Sequence, residues 1–130
     1  MAAELERYGI PVRLIDRSAE PTQTSKALVL WSRTLELIDR MGCTPAFLNA
    51  GLAVRGASIR SGASVLGRAS FDNISSPYNF ALMIPQRDTE RLLHEQLVSI
   101  GGAVEREVEL TGFAQDADGV RATLRHKDSR

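Results

Sequence analysis

The sequence predicts a mixed α/β fold, and three stretches of the chain indicate it. Residues 1–16 read as the end of a helix, a glycine, and an apolar strand that finishes in an acid. Residues 53–84 carry the interrupted alternation of apolar and polar side chains that is typical of antiparallel strands. Residues 86–100 place apolar side chains on one helix face, and a glycine pair follows. Helices and strands therefore alternate along the chain.

The first elements resemble the second half of a βαβ unit. Apolar residues at helical spacing precede Gly9, which is expected to end the first helix. Residues 10–15 then predict a strand, and Asp16 stands at its carboxyl end. Beyond an extended segment, Ser32 is expected to cap a helix over residues 33–41.

The rest of the chain predicts a short helix, strands, a long helix and a hairpin. Thr44 is expected to cap the short helix, with proline at its first position. Residues 53–71 predict two strands that flank a turn at Gly62, and residues 80–84 predict another. A hairpin turning at Asp118-Gly119 should close the chain, with Val120, Ala122 and Leu124 on a buried face.

Composition excludes several classes of function. The 130 residues carry sixteen basic and sixteen acidic side chains, a balance that disfavours binding to nucleic acid or an anionic membrane. No apolar run approaches the ~20 residues of a membrane span, and the N-terminal residues lack the pattern of a secretion signal. The single cysteine suits a reducing compartment, so the cytoplasm is the expected location.

Three polar residues are candidates for binding a ligand. A carboxylate at the end of a strand, as at Asp16, accepts ribose hydroxyls in dinucleotide sites, although a strand-terminating turn residue explains it equally well. Arg33 in the first turn of a helix opposes the helix dipole unless an anion lies between them, or it is simply a solvated arginine. Gln86 suits recognition of a polyol or a flavin edge, or caps the long helix.

Three segments in this order resemble one protein family. They are IPVRLIDR, SKALVLWSRTLELID and IPQRDTERLL, and they are similar to the FAD-binding segments of the flavin-dependent aromatic hydroxylases, the phenol and polyketide monooxygenases. The resemblance implies that Asp16 binds the adenosine ribose, Arg17 lies beside the adenine, and Arg33 binds the pyrophosphate or ribityl region. It also implies that Gln86 contacts the flavin side of the cofactor. Lys26 stands where the family usually has arginine, so it keeps the charge and loses the planar fork.

The resemblance also implies a fragment. Members of the family open with a GxGxxG loop and carry a later Asp-Gly motif ahead of a basic residue and a Gly-Asp segment, and none of the three is present here. Asp118-Gly119 does not count as the Asp-Gly motif, because it lies between two amphipathic strands as a hairpin turn. We therefore expect a Rossmann-like βαβ unit without its first strand and glycine-rich loop. Residues 1–51 and 86–130 should form the partial FAD-binding domain, and residues 52–85 an inserted segment of the substrate-side sheet. Met1 is then expected to be an internal methionine of a longer chain.

The implied function is FAD-dependent hydroxylation of a phenolic or polyketide substrate with NAD(P)H and O2. The flavin performs that chemistry, so no catalytic residue or metal ligand is assigned to this stretch. The candidates for lining a pocket or for packing in the core are Trp31, Phe71, Tyr78, Phe80 and Met83. The alternative is a non-catalytic remnant that binds no FAD and acts at most as an interaction module. A nicotinamide-only dehydrogenase ranks last, because it explains neither Arg33 nor Gln86.

Overall fold

The computed structural model describes residues 1–22 and 28–127. Lys26 lies outside these described residues. None of the helices in the described ranges is long and apolar enough to cross a membrane. In chain order the helices and strands are α1 (Ala2–Arg7), β1 (Leu14–Asp16), β2 (Val29–Leu30), α2 (Ser32–Arg40), α3 (Thr44–Ala50), β3 (Leu52–Val54), β4 (Gly56–Ser61), β5 (Ser64–Ser70), β6 (Ala81–Met83), α4 (Gln86–Ser99), β7 (Val104–Arg106), β8 (Val108–Gln115) and β9 (Val120–His126).

The chain divides into two compact units. One contains Met1–Thr22 together with Leu97–Arg130, and the other is the continuous stretch Gln23–Gln96. We call them the split unit and the continuous unit. The predicted division into residues 1–51 with 86–130 and an inserted segment 52–85 stays a prediction.

The continuous unit is built on a three-stranded antiparallel sheet with β6 between β2 and β3. Leu82 of β6 is fully buried, as are Leu35 on α2 and Phe47 on α3. Leu35 and Ile38 are three positions apart, so both lie on the same buried face of α2. The core cluster consists of Leu35, Ile38, Cys43, Phe47, Phe80, Leu82, Ile84 and Leu92.

A two-stranded hairpin completes the continuous unit. β4 and β5 pair antiparallel, with Ser61 opposite Ser64, and Gly62 adopts a φ of 57° in the turn. The predicted turn at Gly62 is therefore confirmed, because a positive φ is easily reached only by glycine. The register shifts between Ile59 and Arg60, which marks a bulge in the hairpin.

The split unit contains α1, a parallel strand pair and the final hairpin. Gly9 ends α1 with a φ of 69°, its N–H bonded to the carbonyl of Glu6, while the N–H of Ile10 reaches the carbonyl of Leu5. This is the Schellman arrangement, and it confirms the predicted helix end. β1 and β7 then run parallel, with Asp16 opposite Arg106.

Several predicted boundaries differ from the structure. The strand expected over residues 10–15 is shorter, because β1 pairs with a β7 of only three residues and begins at Leu14. Ser32 and Thr44 are not caps: each is the first residue of its helix, and neither helix has a side-chain cap hydrogen bond. Both side chains are buried, at 8% and 3% exposure, so they point into the protein rather than over the helix end.

The final hairpin is present, but its expected buried face is largely exposed. Val120 is 63% exposed and Ala122 is exposed, while Leu124 is half-buried. The register places all three on the same face as Phe113, which is itself 72% exposed. The turn is also centred one residue earlier than expected, because the Asp116 carboxylate accepts the N–H groups of Asp118 and Gly119.

Acid should destabilise the split unit. Arg13 lowers the pKa of Glu105, and Arg125 lowers that of Glu109, chiefly through hydrogen bonds to each carboxylate. A carboxyl whose pKa is lower in the folded state stabilises the fold above its unfolded pKa of about 4.3. This contribution is lost as the pH falls through the folded pKa. We expect the thermal midpoint to be constant from about pH 8 to 5 and to fall below about pH 4. In a double Glu105→Gln, Glu109→Gln variant, the thermal midpoint should fall less steeply as the pH is lowered below about 4. An equally steep fall in the two proteins would contradict the assignment.

Candidate functional site

Asp16 lies at the carboxyl end of β1, as predicted, and its carboxylate has two protein partners. Oδ1 accepts the backbone N–H of Ser18 at 2.9 Å, and Oδ2 accepts Nη1 of Arg106 at 2.5 Å. The Asp16 side chain is 40% exposed. An ionised carboxylate has about four acceptor positions, so two protein bonds leave room for hydroxyl donors. The exposed carboxylate therefore fits a ligand that presents paired hydroxyls, such as a ribose.

Arg106 is a site residue that sequence reasoning missed. It pairs with Asp16 across 90 positions of the chain, and its side chain is 27% exposed. No local pattern marks it, since only the register of the parallel strands brings it opposite Asp16. The ion pair fixes the direction of the carboxylate, because the Ser18 N–H and the guanidinium hold one oxygen each.

Arg17 borders an open recess in the split unit. Two ion pairs lie in its wall, from Arg125 to Glu109 at 2.6 Å and from Lys127 to Glu107 at 2.5 Å. The recess thus combines cations and carboxylates and has no uniform charge. Its volume is about 440 Å³, and its lining residues are Arg17, Glu107, Glu109, Arg125, His126 and Lys127.

Arg33 lies in the first turn of α2, as predicted, and its side chain is 67% exposed. Nη1 donates to Oε2 of Glu36 at 3.0 Å. That carboxylate also accepts the Ser76 hydroxyl at 2.8 Å. The pKa of Glu36 is lowered, first by the hydrogen bond from Ser76 and then by that from Arg33. Arg33 therefore has an acidic neighbour, and its exposed N–H groups are available to an anion from solvent.

Gln86 is the first residue of α4 and directly follows Pro85. Its Nε2 donates to Oε1 of Glu90, one turn further along, at 2.8 Å. The residue is half-buried. The amide is thus oriented by its own helix.

The described candidates are divided between the two units. Asp16 and Arg17 belong to the split unit, and Arg33 and Gln86 belong to the continuous unit. Among the aromatic candidates, Phe80 is 9% exposed and packs in the core. Trp31 is 50% exposed and meets Phe71 edge to face, with ring centroids 5.4 Å apart.

Residues 1–130 match the family model whose description is FAD binding domain. The chain belongs to the FAD-binding domain family. This confirms the resemblance stated from the sequence. An acid at the end of a parallel strand is the position at which dinucleotide-binding folds bind a ribose, so the residues present fit the family's cofactor.

Relatives and solved structures agree with the family. The chain is 36% identical over 132 residues to 6-methylpretetramide 4-monooxygenase of Streptomyces rimosus, covering all of this chain and 24% of that protein. It is 30% identical over 129 residues to pentachlorophenol 4-monooxygenase of Sphingobium chlorophenolicum, covering 98% and 24% respectively. OxyS anhydrotetracycline hydroxylase from S. rimosus matches the fold with a TM-score of 0.80 and 32% identity, over 98% of this chain and 25% of that one. The chain spans about a quarter of the length of these relatives.

Proposed function

We propose that this FAD-binding domain segment serves a flavin-dependent monooxygenase that hydroxylates an aromatic substrate, phenolic or polyketide, with NAD(P)H and O2. The observation that carries the proposal is the half-exposed Asp16 carboxylate at the end of a parallel strand, in a chain matched by the FAD-binding domain family over its whole length. The substrate class follows the names of two relatives, which act on 6-methylpretetramide and on pentachlorophenol. We place the protein in the cytoplasm, since its only cysteine is free.

Each candidate residue receives a role in holding the cofactor. Asp16 accepts the ribose hydroxyls, with Arg106 and the Ser18 N–H fixing the carboxylate. Arg17 lies beside the adenine, Arg33 donates to the pyrophosphate or ribityl region, and Gln86 contacts the flavin side. Lys26, outside the described residues, adds a cation. Bound FAD would supply the redox chemistry, with electrons from the nicotinamide and the inserted oxygen atom from O2.

The protein's own contribution is binding and orientation. The proposed contacts join a carboxylate to hydroxyls and a guanidinium to phosphate. Hydrogen bonds in which the donor, the acceptor or both are ionised are about twice as strong as neutral ones. Arg33 is 67% exposed, so its interaction with phosphate should weaken as the salt concentration rises.

Titration of the purified chain with FAD tests the proposal. We expect saturable quenching of flavin fluorescence, together with a change in the emission of Trp31, the only tryptophan. Arg33→Ala should raise the dissociation constant by about tenfold, the equivalent of one charge-assisted hydrogen bond. Arg91→Ala is the matched control, because Arg91 also makes an exposed helical ion pair, with Glu95 at 2.9 Å. A folded chain that leaves flavin fluorescence unchanged would contradict the proposal and favour a segment that binds no FAD.

Hydroxylation is tested in a polypeptide of the relatives' length that carries this segment. With FAD, NAD(P)H and a phenol, we expect one oxygen atom from ¹⁸O₂ in the product by mass spectrometry. Oxidation of NAD(P)H without incorporation of the label would argue against a monooxygenase.

A further inference from the structure

The Glu36 carboxylate is held at both oxygens. Oε1 accepts the Ser76 hydroxyl at 2.8 Å, and Oε2 accepts Nη1 of Arg33 at 3.0 Å. The Glu36 side chain is 30% exposed, whereas that of Arg33 is 67% exposed. The carboxylate thus connects the loop that follows β5 to the first turn of α2.

Ser76 is itself fixed by the chain around it. Its hydroxyl oxygen accepts the N–H of Tyr78 at 3.2 Å, and its own N–H donates to the carbonyl of Ile74 at 2.8 Å. The Tyr78 ring meets the buried ring of Phe80 edge to face, with centroids 6.1 Å apart. Because the oxygen accepts the Tyr78 N–H, the hydroxyl proton is directed to Glu36. Glu36 is therefore connected to the core of the continuous unit through Ser76 and Tyr78.

This support changes what the ion pair with Arg33 does. An exposed ion pair three residues apart on a helix is weak, because solvent screens it, and so it does not by itself hold a long side chain in one conformation. A carboxylate already oriented by Ser76 offers Arg33 one fixed partner. The Arg33 side chain then samples fewer conformations before a ligand binds, so it loses less conformational entropy on binding. The contact with Glu36 uses one of the five guanidinium N–H donors.

We propose that Ser76 and Glu36 are positioning residues that orient the Arg33 guanidinium for a phosphate group of FAD. The inference rests on the proposed function, since Arg33 is the residue that touches the cofactor. Ser76 and Glu36 act only through Arg33.

The charge of Glu36 opposes its positioning effect. A carboxylate close to a bound phosphate repels it, so removing the charge favours the anion even when orientation is lost. Ser76→Ala separates the two effects, because it removes the anchor and leaves both charges in place. Glu36→Asp does the same by another route, since the shorter side chain keeps its charge and cannot span the distance between Ser76 and Arg33.

The experiment is the FAD titration of the whole chain with these variants. We expect Ser76→Ala and Glu36→Asp to raise the dissociation constant by about three- to tenfold, the effect of one hydrogen bond, and Ser76→Thr to restore it. Ser70→Ala is the matched control, because its hydroxyl also donates to a carboxylate, that of Asp72 at 2.7 Å, away from Glu36. In an Arg33→Ala background, Ser76→Ala should have no further effect, because the residue through which it acts is gone.

The outcomes separate this inference from the proposed function. If the unaltered chain binds no FAD, the proposed function fails, and the inference that rests on it is overturned with it. If the chain binds FAD and Ser76→Ala binds as tightly or more tightly, the positioning role alone is overturned. An equal loss in the Arg33→Ala background likewise overturns it, because a general structural role would act in both backgrounds. Should Ser76→Ala fail to fold, Glu36→Asp decides by the same criteria.

Discussion

Replacing Phe47 with alanine is expected to lower the free energy of unfolding of the continuous unit by about 3–5 kcal/mol. The Phe47 side chain has no exposed surface and belongs to the cluster that includes Leu35 and Leu82, both also fully buried. Truncation removes the transfer free energy of the ring and leaves a cavity, and both terms destabilise the fold. Domains are stable by only about 5–15 kcal/mol, so the loss is a large share of the total.

Urea denaturation followed by the emission of Trp31 measures this effect. Leu48→Ala is the matched control, because Leu48 is the next residue of the same helix and is 38% exposed. We expect its midpoint to change by a small fraction of the Phe47→Ala shift. Similar shifts for the two variants would mean that Phe47 is not part of the tightly packed core.

Replacing Asp16 with asparagine is expected to weaken FAD binding by about 10- to 100-fold. The amide keeps one acceptor oxygen and loses the negative charge, and each hydrogen bond from a hydroxyl to an ionised acceptor contributes about 1.5–3 kcal/mol. The same titration of flavin fluorescence gives the dissociation constant.

The control must separate the cofactor contact from the general effect of losing an ion pair at this strand pair. Glu105→Gln serves, because Glu105 is the adjacent position in the same strand pair and binds Arg13 at 2.6 Å. It removes an ion pair of the split unit without touching the proposed ribose contact. Equal loss of FAD affinity in both variants would show that the strand pair, rather than the Asp16 carboxylate, is what the cofactor requires.

Local signals explain which elements were predicted correctly. Helix α4 was expected over residues 86–100 and is found at Gln86–Ser99, because its apolar spacing and the following glycines are encoded within one stretch of chain. Gly101, with a φ of 93°, provides the stop. Asp16 was placed at a strand end for the same reason, since a short apolar run and an acid are visible without any partner.

Contacts between distant segments explain what was missed. Arg106 faces Asp16 only because two strands pair in one register, and the sequence of either strand does not state that register. Ser76 reaches Glu36 across 40 positions, from a loop without a recognisable pattern. The alternation in β9 correctly predicted that Val120, Ala122 and Leu124 share one face of the hairpin. It could not predict burial of that face, because burial depends on whether another element covers it.

The discontinuity of the split unit sets the order in which the chain completes its structure. Residues 23–96 are contiguous, so all the segments that form their core are available once that stretch has been synthesised. The parallel pairing of β1 with β7 must wait until Val104–Arg106 has been synthesised, since the Leu14 and Val104 partners are far apart in sequence. Until then the acid at the end of β1 has no arginine opposite it. The carboxylate that fits a ribose is therefore oriented only after the whole of the continuous unit has been synthesised.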